Sequence, residues 1–235
     1  MKTVYENPKI ALGYKNSLRK REGYCKFERE YLKKQIKKNT KSRILDLGCG
    51  IARHAPLFGR VAEYIGIDIS KKMVEIAKND LRKRKLNVKL LVGDLRNFDS
   101  KIKGKFDLVL LMYHTLGCIN SKEERINLFN KIRMRLKNEG VLIIHVHNRN
   151  NIRNIKFLIS SVFSSGAFGT KKIRSGNLSG AKIHFFSKKE LEKELKKSNL
   201  EILETIPLEY PNEDKIAKGL KKILFTGGYI LKVSR

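Results

Sequence analysis

The chain has 235 residues, and 52 lysine and arginine residues against 23 aspartate and glutamate residues give it a formal net charge of +29. This length and a hydrophobic content of 41% predict a single domain, residues 1–235, with a buried core, and exclude a wholly disordered protein. No apolar run approaches the roughly 20 residues of a membrane-spanning helix, so we expect no membrane partner. Three widely spaced cysteines and no readable signal peptide indicate a cytoplasmic protein without a disulfide framework.

Short apolar runs alternate with helical patterns along the chain. Residues 1–42 predict a basic, mostly helical N-terminal segment, and five apolar runs follow as predicted strands: RILDLG, YIGID, VKLLVGD, FDLVLLMY and GVLIIHVH, at 43–48, 64–68, 88–94, 106–113 and 140–147. Ser70 marks a helix start, and capping boxes are predicted at Ser121–Glu124 and Ser187–Glu190. This alternation predicts an α/β fold of three layers, with a doubly wound, mostly parallel sheet. Residues 187–235 predict a last helix and two strands, EILETIPLEY and FTGGYILKVS, which close a seven-stranded sheet as an antiparallel hairpin.

One carboxylate stands at the end of each of the first three predicted strands: Asp46, Asp68 and Asp94. Ligands of open α/β sheets bind beyond these carboxyl ends. Gly48 and Gly50 let the backbone turn tightly beside a ligand, but Arg53 stands where a dinucleotide-binding fingerprint needs its third glycine. Acids at three strand ends beside a Gly-x-Gly turn suit a nucleoside that carries a positive charge, which indicates S-adenosylmethionine.

The motifs ILDLGCGIARH, YIGIDIS, VGDLRNFD, FDLVLLMYHTLGCI and LKNEGVLIIHVHN occur in this order over about residues 43–148. In this respect the chain resembles the class I S-adenosylmethionine-dependent methyltransferases. The resemblance implies a Rossmann-like methyltransferase fold, S-adenosylmethionine as cofactor, and a cofactor-binding core at residues 43–148. It also makes residues 1–42 a helical lid. Ala52 departs from the pattern, because many relatives have a third glycine there.

The resemblance also implies roles for individual residues. The expected cofactor-binding residues are Tyr14, Asp46, Gly48, Cys49, Gly50, Asp68, Ile69, Met73, Gly93, Asp94 and Leu95. Asp46 and the glycines would shape the methionine pocket, Asp68 would hold the ribose, and Met73 and Asp94 would contact the adenine. Two alternatives stay open: Met73 as core filler and Asp94 as an ordinary helix N-cap. Tyr113 and His114 would face the methyl group, with His114 either lining the acceptor pocket or acting as a base.

A pair of histidines, His145 and His147, alternates onto one face of the fifth predicted strand and suggests a metal site. The spacing shows no third ligand, so we expect no metal.

The acceptor is the least determined part of the prediction. No acidic residue occurs between Glu139 and Glu190, and this interval holds residues 149–186, an expected acceptor-binding insert with Arg149, Arg153, Lys171 and Lys172. Such a segment suits a phosphate-bearing acceptor, and we expect methyl transfer to nitrogen or oxygen on tRNA or another RNA. One alternative is a small-molecule N- or O-methyltransferase with a lysine-rich surface. Another is a non-catalytic RNA-binding protein on the same fold.

Overall fold

The computed structural model describes residues 3–19, 22–36, 42–60, 62–82, 84–154, 169–172, 181–210 and 213–235. The helices are α1 Pro8–Arg19, α2 Glu22–Lys33, α3 Ala55–Phe58, α4 Lys71–Leu81, α5 Phe98–Lys101, α6 Lys122–Arg135, α7 Lys188–Lys197 and α8 Leu220–Leu224. The strands are β1 Ser42–Leu47, β2 Ala62–Asp68, β3 Val88–Val92, β4 Phe106–Leu111, β5 Leu136–His147, β6 Thr170–Lys172, β7 Lys182–His184, β8 Glu201–Glu209 and β9 Thr226–Ser234. Among the described helices, none combines the length and the apolar character that a bilayer span needs.

The main sheet has seven strands in the order β3-β2-β1-β4-β5-β9-β8. The first five strands pair in parallel, and β9 runs antiparallel to both β5 and β8. This arrangement confirms the predicted fold class. The strand order reverses between β1 and β4, so a crevice is expected beyond their carboxyl ends. Strands β6 and β7 form a separate antiparallel pair that the sequence patterns did not predict.

Helices cover the sheet on both faces. On one face, Leu128 and Ile132 of α6 and Leu191 of α7 pack with inward residues of the sheet in one buried cluster. On the other face, Leu32 of α2 and Val74 of α4 belong to a second buried cluster. The central strands β1, β2 and β4 are therefore buried on both sides, which explains why they read as continuous apolar runs rather than alternating ones.

Strand β5 begins earlier than the apolar run predicts, at Leu136 directly after α6 ends. Phe106 of β4 pairs with Leu136, but Leu108 pairs with Val141, so the residues between them bulge out of the parallel register. At the end of this bulge a side chain on Gly140 would lie 2.6 Å from the Phe106 carbonyl oxygen. The sequence LKNEG is polar because most of its residues belong to the bulge. The apolar pattern therefore did not predict this part of the strand.

The helix starts agree with the serine signals. Ser70, Ser121 and Ser187 each accept a hydrogen bond from the backbone N–H three residues later. The reciprocal capping box is present at Ser187, but the prediction of one at Ser121 was wrong. The Glu124 carboxylate instead pairs with Arg96 at 2.5 Å, because a guanidinium offers this partly exposed carboxylate a charged partner.

Candidate active site

The crevice beyond β1 begins with a glycine turn. Gly48 and Gly50 have φ angles of +75° and +53°, in the left-handed region that favours glycine. A side chain on Gly48 would also meet the Thr115 methyl group at 2.3 Å. Ala52, the departure from the family pattern, has a φ of +51°, so it adopts the conformation for which relatives use glycine.

Asp68 ends β2 and faces this turn. One carboxylate oxygen accepts the Gly50 N–H at 2.8 Å, and the other accepts the Ser70 N–H at 2.9 Å. Burial raises the pKa of Asp68, the two N–H groups oppose that rise, and the net shift is upward. The residue is only half-buried, and each carboxylate oxygen has a second lone pair. The pair of oxygens is thus suited to accept from two neighbouring hydroxyl groups.

Asp46 supports the glycine turn from inside the protein. Its carboxylate is 1% exposed and contacts the Tyr64 hydroxyl group and His54 Nδ1, the latter at 2.9 Å. His54 Nε2 in turn lies 2.8 Å from Glu28 of α2. Burial and Arg53 lower the pKa of His54, but Glu28 and Asp46 raise it, and the net shift is upward. Asp46 therefore joins β1, β2 and α2 beneath the turn.

Other predicted cofactor residues lie around the turn. Met73 is buried in a small cluster with Ala11 and Ile76, and its terminal methyl group lies 3.2 Å from where a Gly50 side chain would begin. Cys49 is buried, and Ile69 is half-buried. Met73 therefore fills the core between α1 and α4 and also contacts the glycine turn.

Asp94 caps the 3₁₀ helix that starts at the half-buried Leu95, as the alternative interpretation had it. It accepts the Arg96 N–H at 2.9 Å and pairs with the Arg96 guanidinium at 2.5 Å. Hydrogen bonds from Arg96 lower the pKa of Asp94. The neighbouring Gly93 N–H donates to the Asp68 carbonyl oxygen at 2.9 Å, which joins the ends of β3 and β2.

The N-terminal segment closes over the same edge of the sheet. The Tyr14 ring lies edge-on to Tyr113, with ring centroids 5.7 Å apart. Ser70 donates to the Tyr5 carbonyl oxygen at 3.0 Å, and Lys15 pairs with Asp80 of α4 at 2.6 Å. Burial raises the pKa of the Tyr14 hydroxyl. Helix α1 is thus attached to α4 with Tyr14 above the end of β4.

Four residues form a histidine–glutamate cluster at the carboxyl ends of β4 and β5: His114, His145, His147 and Glu213. The Glu213 carboxylate lies 3.3 Å from His114 Nε2, 3.1 Å from His145 Nε2 and 3.5 Å from His147 Nδ1. The His114 ring stacks on His147, whose other neighbour is Phe185 with ring centroids 4.8 Å apart. Tyr113 and His114 have φ angles of +51° and +64°, an uncommon pair that aims both rings at this edge.

Burial and the neighbouring side chains shift the pKa values of His114 and Glu213. Burial lowers the pKa of His114, with His147 and His145 adding to the effect. Burial raises the pKa of Glu213, but the histidines outweigh it and hold that pKa well below its usual range. Glu213 is therefore an anion among imidazoles. Sequence reasoning missed it, because PNEDK between β8 and β9 has no motif.

The predicted acceptor-binding residues differ in their contacts and in their exposure. Arg149 is paired with Glu190 at 2.9 Å. Arg153 is exposed, with its guanidinium 5.1 Å from the centre of the Tyr210 ring. On β6, Lys171 is half-buried and Lys172 is exposed. Most of the expected acceptor-binding insert at residues 149–186 lies outside the described residues, namely residues 155–168 and 173–180.

With this geometry established, known proteins provide a comparison. A family model described as a methyltransferase domain matches residues 44–140. An uncharacterized protein of Methanocaldococcus jannaschii is 28% identical over 189 residues, which are 76% of this chain and 68% of that protein. The ubiquinone biosynthesis O-methyltransferase of Pelagibacter ubique is 32% identical over 130 residues, 51% of this chain and 52% of that protein. This chain thus spans about half the length of the Pelagibacter relative.

Solved structures share the fold. The S-adenosylmethionine-dependent methyltransferase from Clostridium acetobutylicum superposes with a TM-score of 0.69 at 19% identity, over 96% of this chain and 97% of that one. Fold, strand-end acids and family match agree. Residues 44–140 match the methyltransferase-domain family and the fold is that of the class I S-adenosylmethionine-dependent methyltransferases, and both findings support S-adenosylmethionine as the cofactor. The residues present fit that cofactor: the left-handed turn at Gly48 and Gly50 lets the backbone approach a ligand, and the Asp68 carboxylate can accept from ribose hydroxyl groups.

Proposed function

We propose that the chain transfers the methyl group of S-adenosylmethionine to an oxygen or nitrogen atom of a small acceptor, bound beside the histidine–glutamate cluster. The observation that carries this proposal is the convergence of that cluster with the glycine turn at the switch point of the sheet. Strands β1 and β4 are neighbours, so Gly48 and His114 lie at the ends of adjacent strands. A cofactor in the turn and an acceptor at the cluster would therefore adjoin each other.

Positioning can supply most of the catalysis. Bound S-adenosylmethionine supplies a methyl group on a sulfonium, which reacts when a nucleophile approaches in line with the carbon–sulfur bond. Asp68 offers two acceptor oxygens for the ribose hydroxyls, and Gly50 keeps the backbone close to the ligand. Tyr14 and Tyr113 cover the edge of the sheet and exclude water from it. His114 and Tyr113 would line the acceptor side of the crevice.

Burial supports a small acceptor. Glu213 is 7% exposed and His145 is fully buried, so only a compact group can approach the polar atoms of the cluster. The charge of Arg149 is compensated by Glu190, which removes one predicted phosphate contact. The Pelagibacter relative is by its name an O-methyltransferase of ubiquinone biosynthesis, and its resemblance favours the same class of acceptor.

RNA remains the second candidate because of exposed basic groups beside an aromatic ring. Arg153 lies over the Tyr210 ring, and Lys172 is exposed on β6, an arrangement that suits phosphate contacts and base stacking. If RNA is the acceptor, changing Arg153 and Lys172 to glutamine should reduce the salt dependence of tRNA binding by about one unit of slope per lost contact.

The test offers S-adenosylmethionine with a labelled methyl group to a small-metabolite extract and, separately, to total tRNA. We expect the label to enter the small-metabolite fraction, and to enter it more slowly with Asp68→Asn when the cofactor is not saturating; a reaction without protein serves as the blank. Label found only in tRNA would favour the second candidate. Label in neither fraction, with the cofactor bound, would contradict the proposed acceptor class.

A further inference from the structure

The histidine–glutamate cluster has the composition and spacing of a metal site. Among the described residues, one ligand atom from each of His114, His145 and Glu213 can be chosen so that all three lie within 4.8 Å of one another. His145 and His147 were the pair that suggested a metal in the sequence. Of that pair only His145 belongs to the set, and the other two ligands come from other elements: His114 follows β4, and Glu213 lies between β8 and β9.

The distances agree with ligands around one cation. Two histidine nitrogens, His114 Nε2 and His145 Nε2, lie 3.3 Å and 3.1 Å from the same Glu213 oxygen. Metal–ligand bonds of about 2.0–2.2 Å in a tetrahedron place neighbouring ligand atoms about 3.3–3.6 Å apart. The cluster therefore needs only small side-chain movements to surround a cation.

His114 supplies an independent observation. Its residue is 8% exposed, and neither ring nitrogen has a hydrogen-bond partner among the described residues. The 3.3 Å approach of Nε2 to Glu213 lacks the alignment of a hydrogen bond. An unsatisfied buried imidazole is costly, and a bound cation would satisfy it.

The surrounding backbone is built to bring Glu213 to this place. Glu213 has a φ of +56°, and its N–H donates to the Glu209 carbonyl oxygen at 2.8 Å. A side chain on Gly228 of β9 would begin 2.9 Å from a Glu213 carboxylate oxygen. The His114 N–H donates to the His145 carbonyl oxygen at 3.0 Å, which fixes the two histidines relative to each other. Backbone contacts thus hold all three groups.

We infer that His114, His145 and Glu213 form a binding site for a divalent first-row transition metal of the Zn²⁺ class. Two imidazoles and one carboxylate are a donor set for such ions, and three protein ligands leave a coordination position open. His147 is 30% exposed at the rim of the cluster and marks the side from which another ligand enters. This inference rests on the proposed function in one respect: the open position would orient an oxygen or nitrogen atom of the acceptor.

The test measures metal binding directly and needs no acceptor. The full chain, stripped with a chelator and dialysed, is titrated with Co²⁺ while the visible absorption is recorded, and Zn²⁺ is then added as competitor. We expect one Co²⁺ per chain, intense bands typical of low coordination number, and displacement by Zn²⁺. Glu213→Gln and His145→Ala should each weaken binding about tenfold or more.

Two controls keep the outcome clear. Glu209→Gln removes a carboxylate at the end of β8, just before the connection that carries Glu213; Glu209 pairs with Lys221 at the surface, and this variant should bind Co²⁺ as the wild type does. Glu213→Gln keeps the shape of the side chain and leaves the cofactor crevice intact, so its S-adenosylmethionine binding should stay close to the wild type and show that the variant is folded. An absence of stoichiometric binding, or binding that Glu213→Gln and His145→Ala leave unchanged, would overturn the site. Stoichiometric Co²⁺ binding without methyl transfer to small metabolites would uphold the site and reject the proposed acceptor.

Discussion

At the scale of single residues, the glycine turn shows most directly how side-chain volume determines the crevice. Gly48 combines a left-handed φ with a close approach to Thr115, and these two constraints have different consequences. The first depends on the backbone alone and costs about 1–2 kcal/mol for a residue with a side chain. The second depends on one neighbour and is reduced when that neighbour is shortened to alanine, whose Cβ would still lie 3.2 Å away.

This separation gives the first prediction. Gly48→Ala should reduce the free energy of unfolding by about 2–4 kcal/mol, because both constraints act. In a Thr115→Ala background the same substitution should cost less, about 1–2 kcal/mol, because the two shortest contacts are gone and mainly the backbone strain remains. Denaturant unfolding of the four proteins of this double-mutant cycle measures the difference. Equal costs in both backgrounds would show that the Thr115 contact does not constrain the turn.

The acids differ from one another in a way that the sequence could not reveal. Asp46, Asp68 and Asp94 look equivalent as strand-end carboxylates. In the structure Asp46 is buried on His54 and Tyr64, Asp94 is paired with Arg96, and Asp68 accepts only backbone N–H groups, those of Gly50 and Ser70, among the described hydrogen bonds. Their positions were predictable from the alternation of strands and helices. Arg96 lies only two residues after Asp94, but the partners of Asp46 include Tyr64 of β2, and no local pattern around Asp46 encodes that contact.

At the scale of secondary-structure elements, the contact of α1 with the end of β4 bears on cofactor binding. Tyr14 contacts both Tyr5 and Tyr113 through ring edges. Aromatic pairs of this kind contribute about 0.5–1.5 kcal/mol each. These contacts are made by the Tyr14 ring and not by its hydroxyl group, so we expect the ring to hold α1 against the end of β4.

The second prediction follows for the lid. Tyr14→Ala should weaken S-adenosylmethionine binding by about 5–30-fold, because the ring contacts are lost. Tyr14→Phe keeps the ring and should bind as the wild type does. Calorimetric titration of both variants checks this, with amide hydrogen exchange of α1 as a second readout. Equal weakening in Tyr14→Phe would assign the effect to the hydroxyl instead.

The contact between α6 and α7 contains a buried ion pair. Arg125 is 1% exposed and forms a salt bridge with the Glu194 carboxylate at 2.5 Å. The same guanidinium donates to the Ile119 carbonyl oxygen at 3.0 Å. Removal of one partner would leave a charge without compensation in the core.

The third prediction concerns this pair. Arg125→Ala should lower the free energy of unfolding by about 3–5 kcal/mol, since Glu194 then stays buried alone. The double variant Arg125→Met, Glu194→Leu should recover most of that loss, because the buried charge is gone and apolar volume replaces it. Urea unfolding measures both, with Lys188→Ala on the surface of α7 as control. No recovery in the double variant would mean that the pair is required for packing.

The fourth prediction is the acid response of the same contact. Burial raises the pKa of Glu190, but the combined effect of His184, Arg149 and Arg125 in the opposite direction is larger. The net shift of the pKa is therefore downward. A carboxylate whose folded pKa is depressed stabilises the fold above its unfolded pKa, near the usual 4.5. That stability is lost as the pH falls from about 4.5 through the lower folded value. Glu190→Gln should therefore make the free energy of unfolding less dependent on pH in this range than Glu192→Gln, a surface control.

Element types were largely predictable, but their connections were less so. The apolar runs and serine caps gave β1 to β5 and the starts of α4, α6 and α7. The β6–β7 pair was missed because three-residue strands have no detectable period. The start of β5 was missed because its bulge carries polar residues. Glu213 was missed because its role depends on the return of β8 and β9 to the edge of β5.

At the scale of the whole molecule, the net charge of the chain and the residues of the candidate site bear on different properties. The net charge of +29 describes the surface, whereas the candidate site consists of acids and histidines at the carboxyl ends of the five parallel strands β1 to β5. Several basic residues near that site are compensated, as Arg149 is by Glu190. The overall charge therefore bears on partners, and the strand-end residues bear on the reaction.

The fifth prediction tests the cofactor crevice, on which every functional conclusion here depends. Calorimetric titration of the full chain with S-adenosylmethionine should show one site per chain. Asp68→Asn should weaken that binding by about 1–3 kcal/mol, because one acceptor oxygen for the ribose hydroxyls is lost. Glu63→Gln, on the same strand but paired with Arg43 near its other end, should bind as the wild type does. Undiminished affinity in Asp68→Asn, or no binding by the wild type, would contradict the assignment of the crevice.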